Sequence, residues 1–180
     1  MNIFDQMLAP YKLQTTNDRT NALHEVMQQI TLAGLQRGGF FNKAAFYGGT
    51  CLRIFYGLNR FSEDMDFSLL QPDETFRLEN YFEAVENEFK ALGRDVTIEK
   101  KEKKKQTNIE SAFLKEDTSV YNLRFTTESQ IKIKLEVDIN PPGGFSTEQK
   151  LSLLPFSFMT RCYSLPDLYA EKFHALLFRN

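Results

Sequence analysis

Two aspartates with the spacing of a metal site, Asp64 and Asp66, lie in an alternating polar and apolar segment from Phe61 to Leu69. Side chains on a strand repeat every two residues, so both carboxylates project from the same face of the predicted strand. Adjacent carboxylates repel each other unless a cation neutralises them, and their oxygens suit Mg²⁺ or Mn²⁺. The pair therefore predicts a site for a divalent metal, against the plainer interpretation of two solvated acids.

Two glycines, Gly48 and Gly49, precede a predicted helix that starts at Thr50. Backbone N–H groups at a helix start attract phosphate oxygens, and glycine lets those oxygens approach because it has no Cβ. Thr50 adds a hydroxyl donor, Arg53 lies one turn into the helix, and Ser62 shares the strand face of the acids. These residues predict a phosphate-binding site. The plainer interpretations are a tight turn, a surface ion pair and a solvated hydroxyl.

A second alternating strand is predicted from Ile131 to Ile139, ahead of a Pro-Pro-Gly-Gly break. Its polar face carries both Glu136 and Asp138, so either of them can supply a third acid to a metal site. Because the two side chains share one face, the spacing leaves both as candidates.

Helices are predicted around these strands by apolar residues at three- and four-residue spacing, over residues 21–36 and 78–92 and from Ser164 onwards. Ser164 caps the last of them, with Asp167 three positions later. No linker or internal repeat divides the 180 residues, which fit one compact domain.

The composition excludes several classes of protein. A formal net charge of -2 argues against a protein that coats nucleic acid by bulk attraction. Cys51 and Cys162 form no Cys-x-x-Cys pair, so no zinc or redox motif is predicted. The first residues lack the pattern of a secretory signal, and no apolar run is long enough to cross a bilayer. We therefore expect a cytoplasmic protein without a membrane partner.

The order of these motifs resembles the opening motif of the polymerase-β-like nucleotidyltransferase superfamily. That motif reads here as Gly48-Gly49-Thr50-x-x-Arg53, then Arg60-x-Ser62-x-Asp64-x-Asp66. More narrowly, the chain is similar to the AbiEii/AbiGii toxin family of type IV toxin-antitoxin systems. The resemblance covers most of the chain, in segments 46–53, 60–67, 134–137 and 170–176.

The resemblance implies an α/β nucleotidyltransferase fold, in which a small mixed sheet is flanked by helices. It places Asp64 and Asp66 at a Mg²⁺ (or Mn²⁺) site with a third acid, and the family's lysine–apolar–acid pattern favours Glu136 over Asp138. It also implies a lysine facing the triphosphate, here Lys172. The implied nucleotide-binding set is then Gly48, Gly49, Thr50, Arg53, Ser62 and Lys172.

The implied activity is transfer of a nucleotide from an NTP to an acceptor hydroxyl, with RNA, and tRNA in particular, as the expected acceptor. A toxin of a toxin-antitoxin or phage-defence system has a cognate antitoxin protein as its expected partner. The alternative is a catalytically inactive nucleotide-binding or protein-interaction module of the same fold. A sugar-nucleotide glycosyltransferase also carries Asp-x-Asp, but the Gly-Gly-Thr helix start fits it poorly.

The resemblance also implies a division of the chain. We expect an N-terminal helical segment at 1–40, the nucleotidyltransferase core at 41–145, and the start of a C-terminal helical part at 146–180. Relatives generally continue into further helices that carry an Arg-Asp pair. We therefore expect a truncated or shortened chain, and the acid that it lacks is the main argument for the inactive alternative.

Overall fold

Seven strands form the centre of the molecule, for which a computed structural model describes residues 2–101, 118–127 and 131–178. The strands are β1 (Ala44–Tyr47), β2 (Asp64–Leu69), β3 (Val96–Lys100), β4 (Thr118–Phe125), β5 (Lys132–Asp138), β6 (Thr147–Ser152) and β7 (Phe158–Tyr163). Their order in the sheet is β3-β4-β5-β2-β1-β7-β6. The pairs β2–β5 and β1–β7 are parallel and the others antiparallel. The prediction of a mixed sheet is confirmed.

The apolar faces of β2 and β5 form the middle of the core. Met65 and Phe67 on β2, with Leu135 and Val137 on β5, are at most 1% exposed. Burial of each such side chain stabilises the fold by about 1.5–3 kcal/mol. Since strand side chains alternate, the polar residues between them lie on the opposite face. The core thus determines the face on which the acids stand.

Helices cover the sheet: α1 (Ile3–Leu8), α2 (Thr16–Arg37), α3 (Gly48–Tyr56), α4 (Phe82–Ala91) and α5 (Leu165–Phe178). Helix α2 contacts α4, β5 and β7, whereas α3 contacts β1, β2 and α5. Two single 3-10 turns, Phe40–Asn42 and Leu78–Tyr81, precede β1 and α4. Within the described ranges, no helix is long and apolar enough to span a bilayer.

Helix α2 begins earlier than predicted, at Thr16, because a capping box precedes it. The Thr15 hydroxyl accepts a hydrogen bond from the Asp18 N–H at 3.0 Å, and the Asp18 carboxylate accepts one from the Thr15 N–H at 2.9 Å. These two bonds satisfy donors that a helix start otherwise leaves unpaired. The prediction followed apolar spacing alone and missed the polar first turn.

The two helices α2 and α4 meet at Gly34. A Cβ at this position would lie 2.6 Å from the Cα of Val85 and 3.2 Å from the Ala84 carbonyl oxygen. Only a residue without a side chain allows the backbones to approach this closely. Gly34 therefore fixes how α2 and α4 pack over the sheet.

Residues 147–163 contain two strands, although helical structure was expected there. This stretch forms strands β6 and β7, which extend the central sheet, so the helical character expected for 146–180 holds only from Leu165. Strand β6 is at the edge of the sheet, and its residues are exposed or half-buried. An edge strand that buries no apolar face carries no alternating apolar signal in the sequence.

Candidate active site

A cavity of about 760 Å³ lies over the polar faces of β2 and β5. It is lined by the predicted acids Asp64, Asp66, Glu136 and Asp138. Its wall also carries the cations Arg60, Lys134 and Lys172. The structure therefore brings all of the predicted acids together with Lys172, in a space of the size that small-ligand pockets have.

The parallel pairing of β2 and β5 determines which charged side chains are neighbours. Asp66 lies opposite Glu136, and Asp64 lies opposite Lys134. The Lys134 Nζ is 3.1 Å from Asp64 Oδ2 and 2.9 Å from Glu136 Oε1. One lysine thus bridges carboxylates of two strands.

Asp138 lies one step further along the same face of β5. It is opposite Ser68, and its carboxylate accepts a hydrogen bond from the Asn140 N–H at 3.0 Å. Its side chain is nearly buried, at 7% exposed. The structure places Glu136, and not Asp138, beside Asp66.

The Asp66 carboxylate lies in an unfavourable electrostatic environment. Burial, together with the negative charges of Glu136 and Asp64, raises the pKa of Asp66 to about 7. Burial lowers the pKa of Lys134, but its hydrogen bonds with Glu136 and Asp64 outweigh burial and hold that pKa above its ordinary value. The charged lysine therefore relieves only part of the repulsion among the acids.

The donor set of this group fits a hard divalent cation. Carboxylate oxygens are the ligands that Mg²⁺ and Mn²⁺ prefer, and a cation would remove the repulsion that raises the Asp66 pKa. Among the described residues, no three acid, histidine or cysteine side chains already stand close enough together to chelate an ion. Because Lys134 bridges Asp64 and Glu136, a metal at this place must displace its ammonium group.

Gly48 and Gly49 begin α3 directly beside the acids. Gly48 has a φ of +81°, and a Cβ there would lie 2.4 Å from Asp66 Oδ2. Gly49 lines the cavity, and a Cβ on it would lie 3.3 Å from Ser62 Oγ. Only glycine tolerates both the conformation and the close approach at Gly48. The first turn of α3 thus places a helix N-terminus next to the cavity.

Thr50 and Arg53, which the sequence predicts to contact the nucleotide, lie outside the cavity lining. Thr50 is fully buried, and its hydroxyl donates a hydrogen bond to the Asp64 carbonyl. The Arg53 Nε forms an ion pair with Glu25 Oε2 at 2.8 Å, and its Nη1 donates to the Leu58 carbonyl at 3.1 Å. Thr50 and Arg53 thus both bond to backbone carbonyls, and Arg53 also pairs with Glu25. These contacts support the site from outside the cavity lining.

Three further residues belong to the site or support it. Lys134 shares the strand face of Glu136, so alternation in the sequence already indicated its place. Arg60 lines the cavity and forms no ion pair with any described residue. Gln28, 1% exposed, donates a hydrogen bond from Nε2 to the Ser62 carbonyl at 2.7 Å. No local pattern predicts that last contact, because it joins α2 to a loop distant in sequence.

Similar folds occur among solved structures. MenT4, a nucleotidyltransferase toxin from Mycobacterium tuberculosis H37Rv, superposes with a TM-score of 0.59 at 21% identity, over 93% of this chain and 57% of MenT4. JHP933 from Helicobacter pylori superposes with a TM-score of 0.50 at 18% identity, over 84% of this chain and 55% of that chain. At these identities the likeness shows the fold. The chain spans little more than half the length of either structure.

A family model provides the more specific comparison. No curated protein sequence matches the chain. The model described as nucleotidyl transferase AbiEii toxin, type IV TA system, matches residues 30–180. This match contains the glycine turn of α3, both aspartates of β2, the acids of β5 and the lysine of α5. The chain therefore belongs to the AbiEii nucleotidyl transferase toxin family.

Proposed function

We propose that this chain carries the active site of a metal-dependent nucleotidyltransferase, which moves a nucleotide from an NTP to an acceptor hydroxyl and releases pyrophosphate. One observation supports this proposal above the others. The parallel register of β2 and β5 sets Asp64, Asp66 and Glu136 around one lysine, beside the glycine turn that starts α3. Carboxylates for a metal and a helix N-terminus for phosphates thus share one cavity.

In this proposal Asp64, Asp66 and Glu136 are the ligands for Mg²⁺ or Mn²⁺. Glu136 is preferred to Asp138 as the third acid because Glu136 lies opposite Asp66 and Asp138 opposite Ser68. The bound metal would supply charge stabilisation at phosphorus oxygens and acidify the acceptor hydroxyl. Gly48 leaves room for the Asp66 carboxylate, since a Cβ at position 48 would collide with it.

In this proposal the triphosphate is held by residues that line the cavity beside the acids. Gly49 leaves room for phosphate oxygens at the first turn of α3, and the Ser62 hydroxyl lies beside it. Lys172 and Arg60 supply positive charge from α5 and from the loop before β2. The chemistry needs little covalent help from the protein, so alignment and electrostatics are its main contribution.

We further propose an RNA acceptor, with tRNA foremost, and a cognate antitoxin protein as the partner. The family description, a toxin of a type IV toxin-antitoxin system, supports an antitoxin. The expected consequence in the cell is growth arrest, in a toxin-antitoxin or phage-defence setting.

The test is a transfer assay with Mg²⁺, each labelled NTP and total tRNA. We expect label in RNA with the unaltered chain and none with Asp64→Ala/Asp66→Ala. A matched control, Glu83→Ala/Glu86→Ala, removes two exposed acids from α4 and should retain transfer. NTP binding without transfer to RNA would favour the inactive nucleotide-binding module over the enzyme. Absence of both binding and transfer would refute the proposal.

A further inference from the structure

Phe61 is an exposed aromatic side chain in the wall of a mostly polar cavity, which Leu58 and Tyr47 also line. It lies in the loop between α3 and β2, lines the cavity and is 38% exposed. A single exposed apolar side chain is common on protein surfaces. The position of Phe61 in the cavity wall is what makes its ring a surface that a ligand in the cavity can contact.

One face of the Phe61 ring is already covered. The Arg53 guanidinium lies over it, with Cζ 4.2 Å from the ring centroid. This is a cation–π contact on one face of the ring, so a base that stacks on Phe61 must use the opposite face.

The residue behind the ring is itself held in place. Arg53 is anchored by Glu25 at 2.8 Å and by the Leu58 carbonyl at 3.1 Å, and the Tyr11 hydroxyl donates to the other Glu25 oxygen at 2.8 Å. The Arg53 side chain is 20% exposed and that of Glu25 11%. Phe61 therefore rests on a buried network, and a ligand that stacks on it loses little free energy to ordering the ring.

We propose that Phe61 is the stacking platform for the nucleobase of the bound NTP, with Arg53 as the positioning residue behind it. This inference rests on the proposed function, because it assumes that the triphosphate occupies the same cavity. Phe61 precedes Asp64 by three residues, so their backbones are at most about 10 Å apart. A ribose joins a base on the ring to phosphates near the acids. Because every base has a π-face, stacking on Phe61 serves all four NTPs.

Inorganic triphosphate separates the base from the phosphates in a binding test. We would measure the affinities of the unaltered chain, Phe61→Ala, Phe61→Leu and Phe61→Tyr for ATP, GTP and inorganic triphosphate by calorimetry with Ca²⁺. Phe61→Ala should weaken NTP binding by about 5- to 150-fold, the range for loss of one stacked base. Binding of inorganic triphosphate should not change. Phe61→Tyr should retain NTP affinity, and Phe61→Leu should lose most of it.

Phe173→Ala is the matched control, since Phe173 is an exposed phenylalanine outside the cavity lining. Thermal unfolding of each variant confirms that it folds. Unchanged NTP affinity in Phe61→Ala, or an equal loss of affinity for NTP and inorganic triphosphate, would overturn the inference and leave the proposed function standing. If the unaltered chain binds neither NTP nor inorganic triphosphate, the proposed function fails, and the inference fails with it.

Discussion

Asp66 is the residue at which the demands of the fold and of the site conflict. It stands on a central strand, faces Glu136 across the parallel pairing, and touches the space that Gly48 leaves open. Its charge is destabilised by burial and by two neighbouring acids. A proton or a metal ion can relieve this cost, and the two therefore compete for one carboxylate.

The stability of the metal-free protein should depend on pH through Asp66. Its pKa is about 7 in the fold, against about 3.9 in an unfolded chain. The folded state therefore binds this proton more tightly, and its contribution to stability is present in full below about pH 4 and is lost as pH rises through about 7. Thermal unfolding in EDTA should show this decrease, and Asp66→Asn should flatten it. An equal slope in Asp66→Asn would contradict the assignment.

Lys134 should compete with a divalent metal for Asp64 and Glu136. Lys134→Met leaves these acids without their common cation, so we expect the midpoint of thermal unfolding in EDTA to fall by roughly 2–4 °C. Mn²⁺ should then raise the midpoint of the variant more than that of the unaltered chain. Lys132→Met, an exposed lysine two residues earlier on β5, is the control and should change neither value. A smaller Mn²⁺ effect in Lys134→Met would show that Lys134 helps the metal to bind.

At the scale of elements, strands with one buried face could be predicted from the sequence. The alternation around Asp64 and Glu136 gave both strands and the side on which the acids lie. It did not pair Asp66 with Glu136, because register depends on contacts between strands far apart in the chain. Nor did it show that Thr50 and Arg53 bond to partners on β2 and α2, because those partners are distant in the chain.

The packing of α2 on α4 provides the prediction at this scale. Gly34→Ala should reduce the free energy of unfolding by about 2 kcal/mol, because the added methyl group meets the Val85 backbone and the gain in helix propensity offsets only part of the strain. The midpoint of thermal unfolding should fall by roughly 4–8 °C. A Cβ at Gly38 would lie 3.2 Å from the side chains of Ala84 and Tyr81 and at an ordinary 3.5 Å from the Leu35 carbonyl oxygen, so Gly38→Ala should cost less. If Gly34→Ala were as stable as the unaltered chain, the helices would not be in close contact there.

At the scale of the whole molecule, the site unites parts of the chain that are distant in sequence. The cavity takes residues from β1, α3, β2, β5 and α5, between Tyr47 and Lys172. A ligand that contacts all of these elements binds only when the sheet is assembled. Binding should therefore stabilise the fold as a whole, and the effect follows from mass action.

NTP with Mg²⁺ should thus raise the stability of the entire chain. At 100 times the dissociation constant the expected gain is about 2.7 kcal/mol, or roughly 5–10 °C in the midpoint of thermal unfolding. Asp64→Ala/Asp66→Ala should lose this gain, whereas Glu83→Ala/Glu86→Ala should retain it. Hydrogen exchange should show added protection in β2 and β5 as well as at α3. Protection confined to α5 would place the nucleotide outside the cavity, because a ligand there would not connect the two central strands.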